Sequence, residues 1–157
     1  ASRINGQVVI AGDGPQKKHL EELIKTKNLK NVRIIGYIDR STLINLYYLA
    51  DVFVSPAVWD EPLGLTILEA MAAKTPVVVT RKGGISTSVK DGVNGYFVKA
   101  RNATDIATKV NKLLADKKLR VRMGERARAT VLEKFTWRGI AKKLYIFPAI
   151  QSKRIRL

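Results

Sequence analysis

Val52-Phe53-Val54-Ser55-Pro56, a helical segment from about Gly64 to Ala73, and then Pro76-Val77-Val78-Val79 form the stretch that decides the fold. Both strands are apolar at every position rather than at alternate ones, which is the pattern of strands covered on both faces. A helix between them supplies the crossover that parallel neighbours require. The alternation continues upstream. Gln7-Val8-Val9-Ile10-Ala11 ends in the turn Gly12-Asp13-Gly14-Pro15, and residues 17–27 place Leu20, Leu23 and Ile24 on one helical face. Val32-Arg33-Ile34-Ile35 is closed by Gly36, and a helix capped by Asp39 or Ser41 runs to about Leu49 with Leu43, Leu46 and Tyr47 inward. Downstream come Gly83-Gly84, a turn at Asp91-Gly92, the short strand Gly95-Tyr96-Phe97-Val98, and helices over about 103–115, 117–134 and 136–145, the last capped by Thr136. The reading is an α/β fold, a Rossmann-like parallel sheet with helices on both faces.

Composition narrows the chemistry. The 157 residues include no cysteine and one histidine, His19, expected on an exposed helix face. That excludes a disulfide framework, a thiolate zinc site and a multi-histidine metal site within this sequence. No apolar run approaches the roughly 20 residues that span a bilayer. No apolar leader opens the sequence, and the expected setting is cytoplasmic. The net charge of +16 is uneven. Residues 108–157 carry 15 Lys and Arg against 3 Asp and Glu (+12), whereas residues 1–107 carry 14 against 10 (+4). Such a basic third suits nucleic acid, anionic lipid, an anionic substrate or a solvated surface.

In an open parallel sheet, ligands bind at the carboxyl ends of the strands. Gly12-Asp13-Gly14-Pro15 sits at such an end but lacks the third glycine of a dinucleotide fingerprint, so it is read as a tight turn with Pro15 opening the helix. The informative loop is Trp59-Asp60-Glu61-Pro62-Leu63-Gly64-Leu65-Thr66-Ile67-Leu68-Glu69-Ala70-Met71. Amides around Gly64, Leu65 and Thr66 lie at a helix N-terminus, free to hold a diphosphate, and Gly64 lets a ligand approach the backbone. Glu69 lies roughly 5–8 Å further along the helix, and Glu61 lies on the other side of the amides. Carboxylates beside a phosphate site suit paired sugar hydroxyls, since they accept hydrogen bonds and have none to donate. Two of them flanking a diphosphate fit a nucleoside diphosphate sugar. Two solvated acids near a helix N-terminus give the same pattern.

The segment from Glu61 to Ala72, with Thr75-Pro76-Val77-Val78 and Gly83-Gly84, resembles the donor-site signature of family 4 retaining glycosyltransferases of the glycogen-synthase and mannosyltransferase type, which have the two-domain GT-B fold. The likeness extends to Val9–Pro15, Val32–Tyr37, Ala50–Pro56, Asp91–Gly95 and Phe135-Thr136-Trp137. It implies that Glu61 is the catalytic residue nearest the transferred sugar. It also implies that Leu63, Gly64, Leu65 and Thr66 hold sugar and diphosphate, that Glu69 binds the ribose, and that main-chain groups near Tyr37 and Ile38 face the base. No metal or other cofactor is expected, and the donor is a UDP-, GDP- or ADP-linked sugar. Residues 1–157 then form one donor-binding domain with a basic helical part over about 103–157. Its first strand–helix unit, whose arginine and lysine grip the diphosphate, and the N-terminal acceptor domain are expected to be missing, so the chain alone should not catalyse transfer.

Departures from the family pattern are local. Lys74 stands at a helix C-terminus where glycine is common, and Ser86-Thr87-Ser88 replaces a stretch often containing Pro-Glu. Arg81 and Lys82 at a strand end are read as surface charges, with an anionic acceptor as the other reading. Trp59 either walls the sugar site or packs its loop, and Phe135 and Trp137 are expected to anchor the last helix. Two other function classes remain beside the enzyme: a basic nucleic-acid-binding module and a module for anionic membrane. The first is disfavoured, because residues 108–134 contain no aromatic to stack on bases. For the second, Val110, Leu113, Leu114, Leu119, Val121 and Met123 read as a core face rather than a bilayer face. A peripheral position on the inner face of a membrane is compatible with the enzyme reading. A dinucleotide oxidoreductase is set aside because its glycine loop is incomplete.

Overall fold

The centre of the molecule is β4 (Val77–Thr80), whose Val77, Val78 and Val79 are fully buried. The computed structural model describes residues 1–141, so the end of the expected last helix and the basic residues after it lie outside the described residues. Chain order is β1 (Val8–Ala11), α1 (Lys17–Thr26), β2 (Val32–Gly36), α2 (Arg40–Leu49), β3 (Phe53–Ser55), α3 (Leu65–Ala72), β4, a short 3-10 turn (Gly83–Thr87), β5 (Gly95–Val98), α4 (Ala103–Ala115) and α5 (Lys117–Lys134). β4 pairs in parallel with β3 on one side and β5 on the other, with Val78 opposite Val54 and Tyr96. Side chains alternate across the strand. Val77 and Val79 point to a core shared with Tyr47 of α2, Ile67 and Met71 of α3, and Ala127 and Val131 of α5. Val78 points the other way, to Val110 and Leu113 of α4 and Met123 of α5. The fold is therefore α/β with parallel strands and helices on both faces.

The strand pattern departs from expectation in one respect. β1 and β2 form a separate parallel pair, and no ladder joins it to β3-β4-β5 among the described residues. Val9 is 50% exposed rather than buried, and β3 is half-buried at each of its three residues. The pair is tied to the rest through residues 3–6: Arg3 donates to Thr104, Asn5 N–H to Asn111 Oδ1 (2.9 Å), and Asn111 Nδ2 to the Arg3 carbonyl (2.7 Å).

Several helix ends are settled by local chemistry. Asp39 rather than Ser41 caps α2, and Pro15 occupies a turn closed by Lys17 N–H to Gly14 O (3.1 Å), just ahead of α1 rather than in it. α3 ends in a Schellman arrangement, with Thr75 N–H on Ala70 O (3.0 Å) and Lys74 N–H on Met71 O (3.1 Å). Lys74 therefore takes the left-handed position at φ +63°. Gly124 of α5 packs on the same corner, where an added Cβ would stand 1.9 Å from the Lys74 carbonyl oxygen. Arg128 donates to the Ala72 carbonyl beside it (2.7 Å). Asn94, 2% exposed, ties the β5 turn to α5 through Ser88 O and Thr130 Oγ1, both at 3.0 Å.

Residues 137–141 are helical, and Thr136 Oγ1 accepts the Gly139 N–H (3.2 Å), as a cap should. Phe135 packs on the core, but Trp137 is 87% exposed and anchors nothing among the described residues. Val121, at 52% exposure, also departs from its expected core face. No helix among the described residues is long and apolar enough to cross a membrane.

Two substitutions test the α3–α5 corner by urea denaturation. Lys74→Gly relieves a left-handed side chain and should stabilise the protein by about 0.5–1 kcal/mol. Gly124→Ala should destabilise it by about 1–3 kcal/mol through overpacking, despite alanine's better helix propensity.

Candidate functional site

α3 opens at Gly64, whose φ of +72° belongs to the left-handed region, and a Cβ there would lie 2.8 Å from Ile67 Cδ1. Its carbonyl accepts the N–H groups of Ile67 (2.9 Å) and Leu68 (3.1 Å). The N–H groups of Gly64, Leu65 and Thr66 have no protein acceptor among the described residues, and Leu65 is 67% exposed. They form the positive end of a helix whose apolar side (Ile67, Leu68, Ala70, Met71) is buried. Such a terminus attracts an oxyanion.

Glu61 is held just before this terminus by the turn after β4. Gly84 N–H donates to the Glu61 carbonyl (2.8 Å), and Gly83 N–H to Asp60 Oδ1 (3.2 Å). The approach is so close that a Cβ on Gly83 would stand 2.3 Å from Glu61 O, and one on Gly84 1.9 Å from Pro62 O. Thr87 Oγ1 donates to Gly84 O (2.6 Å), and Ser88 Oγ to Ile85 O (3.1 Å), so the Ser86–Ser88 stretch braces that turn. Trp59 Nε1–H donates to Glu61 Oε2 (3.2 Å) while its ring is 64% exposed. The indole thus orients the carboxylate and is not buried in the loop.

Glu69 is held from the other side, by α2. Tyr47 Oη donates to its Oε2 (3.2 Å), and Arg40 Nη1 lies 3.3 Å from its Oε1. Tyr47 is 4% exposed. Its ring meets Phe53 edge-on at 5.6 Å between centroids, and its carbonyl accepts from Thr75 Oγ1 (2.5 Å). Burial, then the Glu69 carboxylate, push the Tyr47 phenol up to about 12. Arg40 is exposed and follows directly on Tyr37, Ile38 and Asp39, so its ion pair brings that loop beside α3. Tyr37 is 83% exposed, and Ile38 is half-buried. The hydroxyls of Ser41 and Thr42, with their N–H groups, hold the Asp39 carboxyl well below the usual carboxylate range.

The structure therefore brings Glu61, the Gly64–Thr66 amides, Glu69 and the Tyr37–Ile38 loop to the carboxyl side of the strands. Leu63, 36% exposed, lies between Glu61 and those amides. The glycine loop after β1 is different. Gly12 N–H donates to Gly36 O (2.7 Å) and Gly14 N–H to Asp13 Oδ1 (2.8 Å), so neither amide is free for a pyrophosphate. Sequence reasoning missed Arg40 and Tyr47 as partners of Glu69. Tyr47 lies 22 residues away, and nothing in its local pattern marks a polar role. It also missed that Gly83-Gly84 is the seat of the Glu61 loop, although the paired glycines were themselves the signal of a close backbone approach.

The chain matches the family model for glycosyl transferases group 1 over residues 1–130, and it belongs to that family. It is 41% identical over 142 residues to an uncharacterised glycosyltransferase of Methanocaldococcus jannaschii, a match covering 90% of this chain and 36% of that protein. Among solved structures it resembles a sucrose-phosphate synthase from Thermosynechococcus elongatus, with TM-score 0.82 and 30% identity over 94% of this chain and 39% of that one. It also resembles a variant of TarM from S. aureus solved with UDP, Fondaparinux and alpha-GlcNAc-glycerol, with TM-score 0.80 and 31% identity over 88% of this chain and 28% of that one. The chain thus spans about a third of the length of these proteins.

Tyr47 gives a pH test. Its phenol ionises at a higher pH in the folded protein than the ordinary 10.0. Its contribution is complete below pH 10 and is lost as pH rises toward 12. Tyr47→Phe should flatten the fall in stability across that interval relative to the parent, read by urea midpoints at each pH.

Proposed function

We propose that this chain is the donor-binding domain of a retaining glycosyltransferase that moves a hexose from a nucleoside diphosphate sugar to an acceptor hydroxyl. The observation that carries the reading is the set of unpaired amides at Gly64, Leu65 and Thr66, with Glu61 on one side and Glu69 on the other. The diphosphate lies on these amides, with Leu63 and the Thr66 hydroxyl beside it. Glu69 accepts the two ribose hydroxyls, and its bond from Tyr47 fixes which lone pairs face the ligand. Main-chain groups near Tyr37 and Ile38 meet the base. Glu61 accepts hydroxyls of the transferred sugar beside the reacting carbon. TarM's structure with UDP supports trying a uridine nucleotide first.

As the sugar–phosphate bond breaks, charge grows on the departing diphosphate. The α3 amides are aimed at that charge before the reaction starts, which is where electrostatic stabilisation is most effective. The departing diphosphate then takes the proton of the acceptor hydroxyl on the same face of the sugar, giving retention with no divalent metal. The enzyme works in the cytoplasm, at the inner face of the membrane when its acceptor is lipid-linked.

The domain is completed in the whole enzyme by a strand–helix unit and an acceptor domain. The open sides of β1 and β3 support this, since each has a ladder on one side only among the described residues. Transfer needs both substrates in near-attack geometry, so the chain alone binds donor without turning it over.

Ligand-observed NMR of the chain against UDP-glucose, GDP-mannose, ADP-glucose and NAD tests the reading. One nucleotide sugar should bind, Glu69→Ala should abolish that signal, and NAD should stay silent. Glu61→Ala should weaken the intact sugar nucleotide more than free nucleoside diphosphate. Binding that survives Glu69→Ala would sink the assignment.

A further inference from the structure

Thr80 and Val98 end β4 and β5, and the loops beyond them part to leave a cleft of about 520 Å³. Its walls carry four cations, Arg81, Lys82, Lys99 and Lys109, and one carboxylate, Asp105. Asp105 is already engaged, since its Oδ2 accepts the Lys99 N–H at 2.8 Å. Two of the cations lie over aromatic faces. The Arg81 guanidinium carbon is 4.5 Å from the Phe97 ring centroid, and Lys109 Nζ is 5.0 Å from that of Tyr96. The Phe97 face attracts the Arg81 guanidinium, whose N–H groups donate to no acceptor among the described residues. None of the four cations has an ion-pair partner among the described residues.

Four like charges around one concavity repel one another, and a bound dianion relieves that repulsion. An arginine fork with three ammonium groups suits the oxygens of a phosphate better than a single carboxylate, which one arginine already satisfies. The position also argues for a separate ligand. β4 lies between the α3 loop and the β5 tip, and the Gly83-Gly84 turn that holds Glu61 begins one residue after Lys82. The cleft is thus offset from the α3 amides yet adjacent to the Glu61 loop.

We propose that this cleft binds a phosphate group carried by the acceptor, placing its hydroxyl toward Glu61. The proposal rests on the donor-site reading for the word acceptor, but not for the binding of phosphate. A phosphate of this kind comes from a soluble monoester or from a lipid headgroup.

Backbone amide NMR of the chain separates these cases. Glycerol 3-phosphate should give saturable shifts at Thr80, Lys82, Lys99 and Ala100, and the Arg81→Gln/Lys99→Gln double variant should weaken binding about tenfold or more. A soluble acceptor is identified by that result. A lipid source is identified if glycerol 3-phosphate is weak while phosphatidylglycerol vesicles bind and the double variant releases them. Non-saturating shifts spread equally over Lys25, Lys27, Lys117 and Lys118 would overturn the proposal, as would binding by either probe that the double variant leaves unchanged. UDP displacing the phosphate from the cleft would also overturn it, assigning these cations to the donor. Glu69→Ala keeps the two readings apart: it removes the UDP response and leaves the phosphate response intact. Phosphate binding in a chain that ignores every nucleotide sugar would retire the donor reading alone.

Discussion

The docking of one backbone on another, Glu61-Pro62 against Gly83-Gly84, is the constraint on which the rest of the site depends. Side chains can yield by changing rotamer, but two main chains in contact cannot. The Gly84 amide satisfies the Glu61 carbonyl only because neither glycine carries a Cβ. β4 fixes where that turn begins, and its fully buried valines fix β4 between the two cores. Glu61 is therefore referenced to the centre of the sheet even though it stands on a loop. Glu69 is referenced to the same centre by another route, through Tyr47, whose ring packs on Phe53 and whose carbonyl is tied to Thr75.

Much of this was legible in the residue pattern because its causes are local. Unbroken valines after Pro76 mark a covered strand, Asp39 with Ser41-Thr42 marks a helix start, and the apolar spacing through Met71 marks the buried side of α3. What was hidden depends on contacts between segments far apart in sequence. Tyr47 reads as one more inward aromatic, and only the fold shows its hydroxyl on Glu69. Val9 reads as buried and is half in solvent, because burial of an apolar strand depends on neighbours its own sequence does not name. Trp137 likewise reads as an anchor, yet it sits on the outer side of a helix's first turn. At the candidate site, the order of glutamates and glycines is plain in the sequence, while Tyr47 and Arg40, which hold Glu69, are visible only in the fold.

The positive charge also resolves into parts with different causes. Arg120 closes the end of α4 by donating to the carbonyls of Leu113 (3.0 Å) and Leu114 (3.1 Å) and pairs with Asp51 at 3.0 Å. Arg128 does similar work at the Ala72 carbonyl. These cations belong to the scaffold, saturating helix C-termini where the dipole favours positive charge. The cations at the tips of β4 and β5 satisfy nothing of the kind among the described residues. A global excess of charge is thus partly architecture and partly surface, and the hydrogen bonds sort one from the other.

The bond from Trp59 to Glu61 has a practical consequence. The sequence contains two tryptophans, and the second, Trp137, stands 87% exposed on a helix outside the Trp59 loop, so a Trp137→Phe variant isolates the Trp59 signal. Indole emission responds to what the ring nitrogen donates to and to the charge beside it. Any molecule that claims the Glu61 carboxylate alters both for Trp59. The protein thus carries its own optical reporter beside the carboxylate that the proposed function sets against the transferred sugar, and occupancy there can be followed by fluorescence without a label.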